Sequence, residues 1–261
     1  MSSRLGFVPR AARPARSRRA RWLLLLALPG IAGCAVVEEP GIVVSSGPIS
    51  DRWDVQWNPT LGTPSTITNR SLEDVTVSRT TPAIADSTAE KAVRAVLRDH
   101  TEWFQLRPGL DELVVVGSRA AEWLRHLRFQ QYYRGLPVAG AGYEARVFPS
   151  GRVWSLQGRY HPDIELLVTP RVDENLAESR ARGLLINGTF PPEVPVVRFE
   201  AELERVLRGN RALAIVPWGQ GLALAWAIMV ENGPRERARV YIHAETGEVI
   251  GRQPIAGTWM H

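Results

Sequence analysis

His126-Leu127-Arg128-Phe129-Gln130-Gln131-Tyr132-Tyr133-Arg134-Gly135-Leu136-Pro137-Val138-Ala139-Gly140 is the stretch from which the fold is read. Leu127, Phe129 and Tyr133, with Trp123 ahead of them, alternate with polar or smaller neighbours, which is the period of a strand over residues 123–133. Successive side chains of a strand point to opposite faces, so either Tyr132 or Tyr133 is expected outside the core. Gly135-Leu136-Pro137 reads as a turn whose proline ring fixes φ. Tyr143, Ala145 and Val147 resume the alternation after a glycine-rich bend at Gly140 and Gly142. Pro149-Ser150-Gly151 turns the chain, and residues 153–157 return. By residue type this is a β-hairpin with an aromatic core, and it holds no catalytic group.

Outward from that hairpin, residues 113–116 form a short apolar run, and residues 87–104 read as a helix. Ser87 and Glu90 have the spacing of a capping box. Ala89, Ala92, Val93, Val96, Leu97 and Phe104 recur on one face, and Arg107-Pro108-Gly109 stops the helix. A similar order follows. Thr169-Pro170 opens a second helix with its proline in the first turn. Val172, Leu176, Ala177, Ala181, Leu184 and Leu185 form its face, and Asn187-Gly188 closes it. Strands are expected at 194–199, 211–216, 222–230 and 239–243, then a turn at Glu245-Thr246-Gly247 and a return over 248–251. The hairpins that begin at Arg146-Val147-Phe148 and Arg239-Val240-Tyr241 look alike. The expected fold class is α+β: two helix-plus-antiparallel-sheet units over residues 51–165 and 166–252.

The run His126–Gly140 resembles the signature of the fungalysin/thermolysin propeptide (FTP) family. So does Ser150-Gly151-Arg152-Val153-Trp154-Ser155-Leu156-Gln157-Gly158, which closes the sheet. Trp57-Asn58-Pro59 and Gly62-Thr63-Pro64 are similar to the opening of such prosegments. Residues 225–230 and 239–250 resemble a PepSY module, with His243 where that module has an acid. The resemblance implies a domain that assists folding of a zinc peptidase and blocks its cleft. It makes Tyr132, Tyr133, Gly135, Pro137 and Gly140 candidate contact residues.

A zinc peptidase of that kind needs H-E-x-x-H, two imidazoles one helical turn apart with a general-base glutamate between them. No two of His100, His126, His161, His243 and His261 are four apart, and none is followed by Glu. Residues 253–261 leave no room for such a domain after the PepSY-like unit, so a prosegment without its enzyme is expected. His100, one turn from both Val96 and Phe104, reads as a core-edge residue. Asp173-Glu174, Glu202 and Glu204 read as helix-start and solvated-face acids. No G-x-S-x-G and no phosphate-binding glycine loop occurs, so neither enzyme activity nor a cofactor is expected.

The net charge of +5 invites a nucleic-acid partner, but its distribution argues against one. Seven of the 32 basic residues precede residue 22, and the first acid is Glu38, so residues 35–261 carry 25 bases against 27 acids. Trp22 begins an apolar stretch that reaches Gly33, short for a membrane span and right for a signal-peptide core. Ile31-Ala32-Gly33-Cys34 resembles a bacterial lipobox, whose cysteine thiolate takes up a diacylglyceryl group. Cys34 is the sole cysteine, so no internal disulfide forms; its alternative role is a buried apolar residue. Residues 1–34 are then a signal peptide and 35–50 a tether. Ala35 after the cysteine implies the outer membrane, and Ser17-Arg18-Arg19 is a weaker match to a twin-arginine signal than the whole leader is to Sec export.

The 253–261 tail is apolar and ends in Trp259-Met260-His261, an aromatic anchor and an imidazole beside a carboxylate, both able to ligate zinc. Its other reading is a frayed terminus. The functional expectation is a lipoprotein held in the bilayer by Cys34 that inhibits or chaperones a secreted zinc metallopeptidase in trans. The alternative is a non-inhibitory scaffold of the cell envelope.

Overall fold

A computed structural model describes residues 52–72, 82–107, 112–121, 123–186, 189–199, 201–207, 209–232 and 236–255. The leader with Cys34, the 35–50 tether, Asn187-Gly188, and Trp259 and His261 lie outside the described residues. Strands β1 (Trp53–Trp57) and β2 (Pro64–Asn69) form a hairpin ahead of helices α1 (Asp86–Asp99) and α2 (Thr101–Phe104). An antiparallel meander follows: β3 (Leu113–Ala121), β4 (Leu124–Tyr133), β5 (Leu136–Val147) and β6 (Val153–Arg159). Helices α3 (Glu174–Gly183) and α4 (Ala201–Val206) precede a second meander of β7 (Arg211–Trp218), β8 (Gly221–Asn232), β9 (Glu236–His243) and β10 (Val249–Pro254).

The α+β class holds, with strands predominating. Helices followed by a four-stranded meander occur twice, but the meanders are not separate sheets. Val138 of β5 pairs in parallel with Ile215 of β7, and all ten strands belong to one sheet.

The first meander is covered on one face. Ala89, Val93 and Leu97 of α1 pack with Phe104 onto Leu127, Phe129, Tyr143, Ala145 and Leu156. The second is covered on both. Ala223, Ala225 and Ala227 of β8 meet Leu203 of α4 and Leu207 just after it, while Ile228 and Val230 meet Ala177 and Ala181 of α3. A strand buried on both sides carries no alternation, which explains the unbroken apolar run at 222–230.

Several boundaries correct the sequence reading. Ser87 does not cap α1: the N-cap is Ala85, without a side-chain bond, and Glu90 pairs with Arg94 at 2.8 Å. The helix breaks at His100 (φ −127°, ψ 38°), whose carbonyl accepts from the Trp103 N–H at 3.0 Å, while α2 ends at Phe104, the expected end, with Gln105 left-handed (φ 51°) as its cap. His100 does sit at the core edge, stacked on Trp103 with ring centroids 4.0 Å apart.

Thr169-Pro170 does not open α3. The N–H groups of Arg171 and Val172 both donate to the Ala244 carbonyl, holding that segment on the sheet. The cap is Asp173, whose carboxylate accepts from the Leu176 N–H at 3.0 Å. Leu176, expected on the apolar face, is 43% exposed. The strand expected at 194–199 reduces to one bridge, Val196 with Arg252, and is followed by the unanticipated α4.

Candidate binding surface on the open sheet face

Strands β4, β5 and β6 contain the residues singled out in sequence. The β4–β5 turn is Arg134-Gly135, with φ of 49° and 81°, a two-residue hairpin with both centres left-handed. The expected Gly135-Leu136-Pro137 turn is therefore displaced. Pro137 is buried inside β5 opposite Tyr132, at a break in the ladder where a missing N–H is tolerated.

Tyr133 is 3% exposed and Tyr132 half-buried, the two-faced arrangement expected of neighbours on a strand. The Tyr133 hydroxyl donates to the Leu166 carbonyl and accepts from the Leu166 N–H. Its ring packs with Val138, Ala141, Ile164 and Ile215. Gly135 is exposed at the hairpin tip.

Beyond Pro137 the strands part. Tyr132 faces Pro137 and Gln130 faces Gly142, so residues 138–141 of β5 bulge out against Gln131 alone. The bulge carries Val138 across to β7. Gly142 makes it possible, because a Cβ there would collide with the Phe129 carbonyl. Buried Gln130 fills the gap in the ladder: its Nε2 donates to the carbonyls of Val138 (2.6 Å) and Ala141 (2.9 Å). Gln131 serves the chain after β6. Its Nε2 donates to the His161 carbonyl, and its Oε1 accepts from the His161 N–H. Both glutamines thus replace strand–strand hydrogen bonds.

The face of this meander away from α1 is open and charged. Arg128 lies across from Glu144, Glu144 from Gln157, and Gln157 from Thr66. One row along, His126 Nδ1 lies 3.2 Å from Glu144 Oε1. A cleft of about 810 Å³ crosses this face from Ser65 and Thr66 over Gly140 and Gly142 to Arg159, Arg198 and Pro217. A second cleft of about 360 Å³ shares Arg128 and Glu144 and adds Arg119, His126 and Arg205. Of the sequence candidates, Gly140 lines the larger cleft; Tyr132, Tyr133, Gly135 and Pro137 do not.

Beside the cleft, burial holds the His161 imidazole below its ordinary pKa, aided by the nearby Arg159 charge, and leaves its Nε2 without a hydrogen-bond partner. Burial raises the Tyr143 and Tyr160 hydroxyls. Tyr143 donates to the Pro64 carbonyl and Tyr160 to Glu112, which also pairs with Arg107 at 2.9 Å. Among the described residues, no three His, Cys, Asp or Glu side chains are grouped to hold a metal ion.

The cleft arginines were missed in sequence. Those on β3, β4 and β6 follow the solvent-face alternation, but Arg198 reaches the face from the segment expected as a strand at 194–199, and Arg205 from the unanticipated α4. The body's small net charge hid them, because a net charge sums over all faces.

No curated protein matches the chain. Among solved structures the chain is similar to the C-terminal domain of YpeB from Bacillus megaterium, at 14% identity, over 78% of this chain and 76% of that one, with a TM-score of 0.38. Residues 124–160, which span β4 to β6, match the Fungalysin/Thermolysin Propeptide Motif, so this part of the chain carries a peptidase-prosegment motif.

Proposed function

We propose that the chain is a non-catalytic exported lipoprotein that acts in trans as inhibitor and folding partner of a thermolysin- or fungalysin-type zinc peptidase. The match of residues 124–160 to the propeptide motif carries this reading. The lipobox at Cys34 supports export by Sec and a lipid anchor, and Ala35 supports the outer membrane. The PepSY-like second meander would act with the first, and His261 and Trp259 would enter the peptidase cleft.

A second reading, an envelope scaffold without inhibition, is favoured by the burial of Tyr133, Pro137, Gln130 and Gln131, which gives the matched run a structural task. Titration of a thermolysin-type peptidase with the chain separates the two. Inhibition expects slowed peptide hydrolysis and a higher yield of active peptidase on refolding. Neither effect at saturating protein rejects the inhibitor and leaves the scaffold. Removal of residues 256–261 tests the tail, because β10 runs through Pro254 and the Ile255 N–H donates to the Arg237 carbonyl.

A further inference from the structure

The open face of the first meander concentrates one sign of charge. Arg119, Arg128, Arg159, Arg198 and Arg205 line the two joined clefts, with Glu144 the sole carboxylate among the lining residues. Nine arginines among the described residues, including Arg107, Arg211 and Arg239, hold a carboxylate within 3.2 Å, and none of the nine lines these clefts. Arg119, Arg159, Arg198 and Arg205 are exposed and have no ion-pair partner among the described residues. Such a cluster sits on a body with slightly more acids than bases. Like charges gathered this way repel one another, and a bound anion relieves that repulsion.

We infer that this face is a docking groove for an extended acidic segment of a partner polypeptide. The inference stands apart from the peptidase reading. Arg119 on β3 is level with His126 of β4 and Arg159 on β6 is level with Gln130, so the two lie three strand spacings apart across the sheet and four residues apart along it, about 19 Å in all, the length of about six extended residues. The floor favours a polypeptide over a polyphosphate or nucleic acid. Glu144 repels an unbroken row of phosphates and accepts from a peptide donor, while Ser65, Thr66 and Gln157 offer hydroxyls and an amide to a backbone. Among the lining residues, neither the Tyr143 nor the Phe199 ring is free for a base to stack on. Tyr143 is 2% exposed, and Phe199 is packed edge-on against Tyr241 with centroids 4.9 Å apart.

The test is fluorescence anisotropy of a labelled peptide of alternating Glu and Gly, about ten residues long, with the full chain. Reversal of the groove (R119E/R159E/R198E/R205E) should weaken binding by about 30-fold or more, and rising salt should weaken the wild type alone. Reversal of four leader arginines (R10E/R13E/R16E/R18E) should change it by less than about 3-fold, since the inference assigns the anion to the groove residues and not to net charge. Binding that survives groove reversal, or follows the leader, overturns the proposal. Tighter groove binding by polyphosphate or single-stranded DNA of equal charge overturns the polypeptide as occupant. If circular dichroism shows that the quadruple variant does not fold, R159Q/R198Q replaces it, with about a 5-fold loss expected; an unchanged affinity overturns the proposal equally.

Discussion

Gln131 grips the backbone of His161 with both ends of its side-chain amide, donating through Nε2 at 2.7 Å and accepting through Oε1 at 2.9 Å. The pair spans thirty residues and takes the place of a strand neighbour after β6. Gln131 is 0% exposed, so water cannot substitute for it. Gln131→Ala should cost about 2–3 kcal/mol, because two backbone groups lose their partner. Urea unfolding of wild type and variant checks this; an unchanged midpoint would show that the amide pair contributes nothing.

Arg239 poses a second buried-polar problem. It is 3% exposed, donates to Glu204 at 2.9 Å and to the Gly209 carbonyl at 3.0 Å. Glu204, read from sequence as a solvated-face acid, is the counter-charge that makes this burial possible. Glu204→Gln should destabilise by about 3 kcal/mol, since it strands a buried guanidinium. The double variant Glu204→Leu/Arg239→Met should recover most of that loss in the same unfolding assay.

Phe129 is 1% exposed and meets α1 through the first core cluster. Phe129→Ala should cost about 3–5 kcal/mol, the loss of ring transfer plus a cavity. A midpoint shift no larger than that of Arg119→Ala would mean that the sheet closes over the gap.

His161 gives the fold a pH dependence. Burial lowers its pKa in the folded state relative to the ordinary value of 6.5. Below that ordinary value the unfolded chain binds the proton more readily, so stability is full above it and falls as pH drops toward the folded value. Thermal midpoints should therefore decline below about pH 6.5, and His161→Phe should flatten that part of the curve. The same slope in both proteins would assign the effect to other groups.

Cys34→Ala should leave the protein soluble or uncleaved instead of membrane-extractable if the lipobox is used. Metabolic labelling with a palmitate analogue should mark wild type alone; equal labelling of the variant would reject the anchor.

The sequence by itself determined β4, β6, residues 113–116 of β3, the second half of β5 from Tyr143, the hairpin at Pro149-Ser150-Gly151, and the α+β class. These rest on period-two alternation and turn chemistry, both local. It also determined the propeptide-like motif, because that motif is a run of neighbouring residues. The helix starts were decided by tertiary contact. Ser87 had a suitable side chain but lies one residue inside α1, and the start of α3 waits for Asp173 because Ala244 holds the preceding segment. The joining of the meanders at Val138 and Ile215, the pairing of Glu204 with Arg239, and the arginine face depend on residues far apart along the chain. Alternation reveals which side of a strand is polar; which polar sides meet is set by how β5 bends at Gly140 and Gly142, and that bend is stable only because Gln130 bonds the carbonyls it frees.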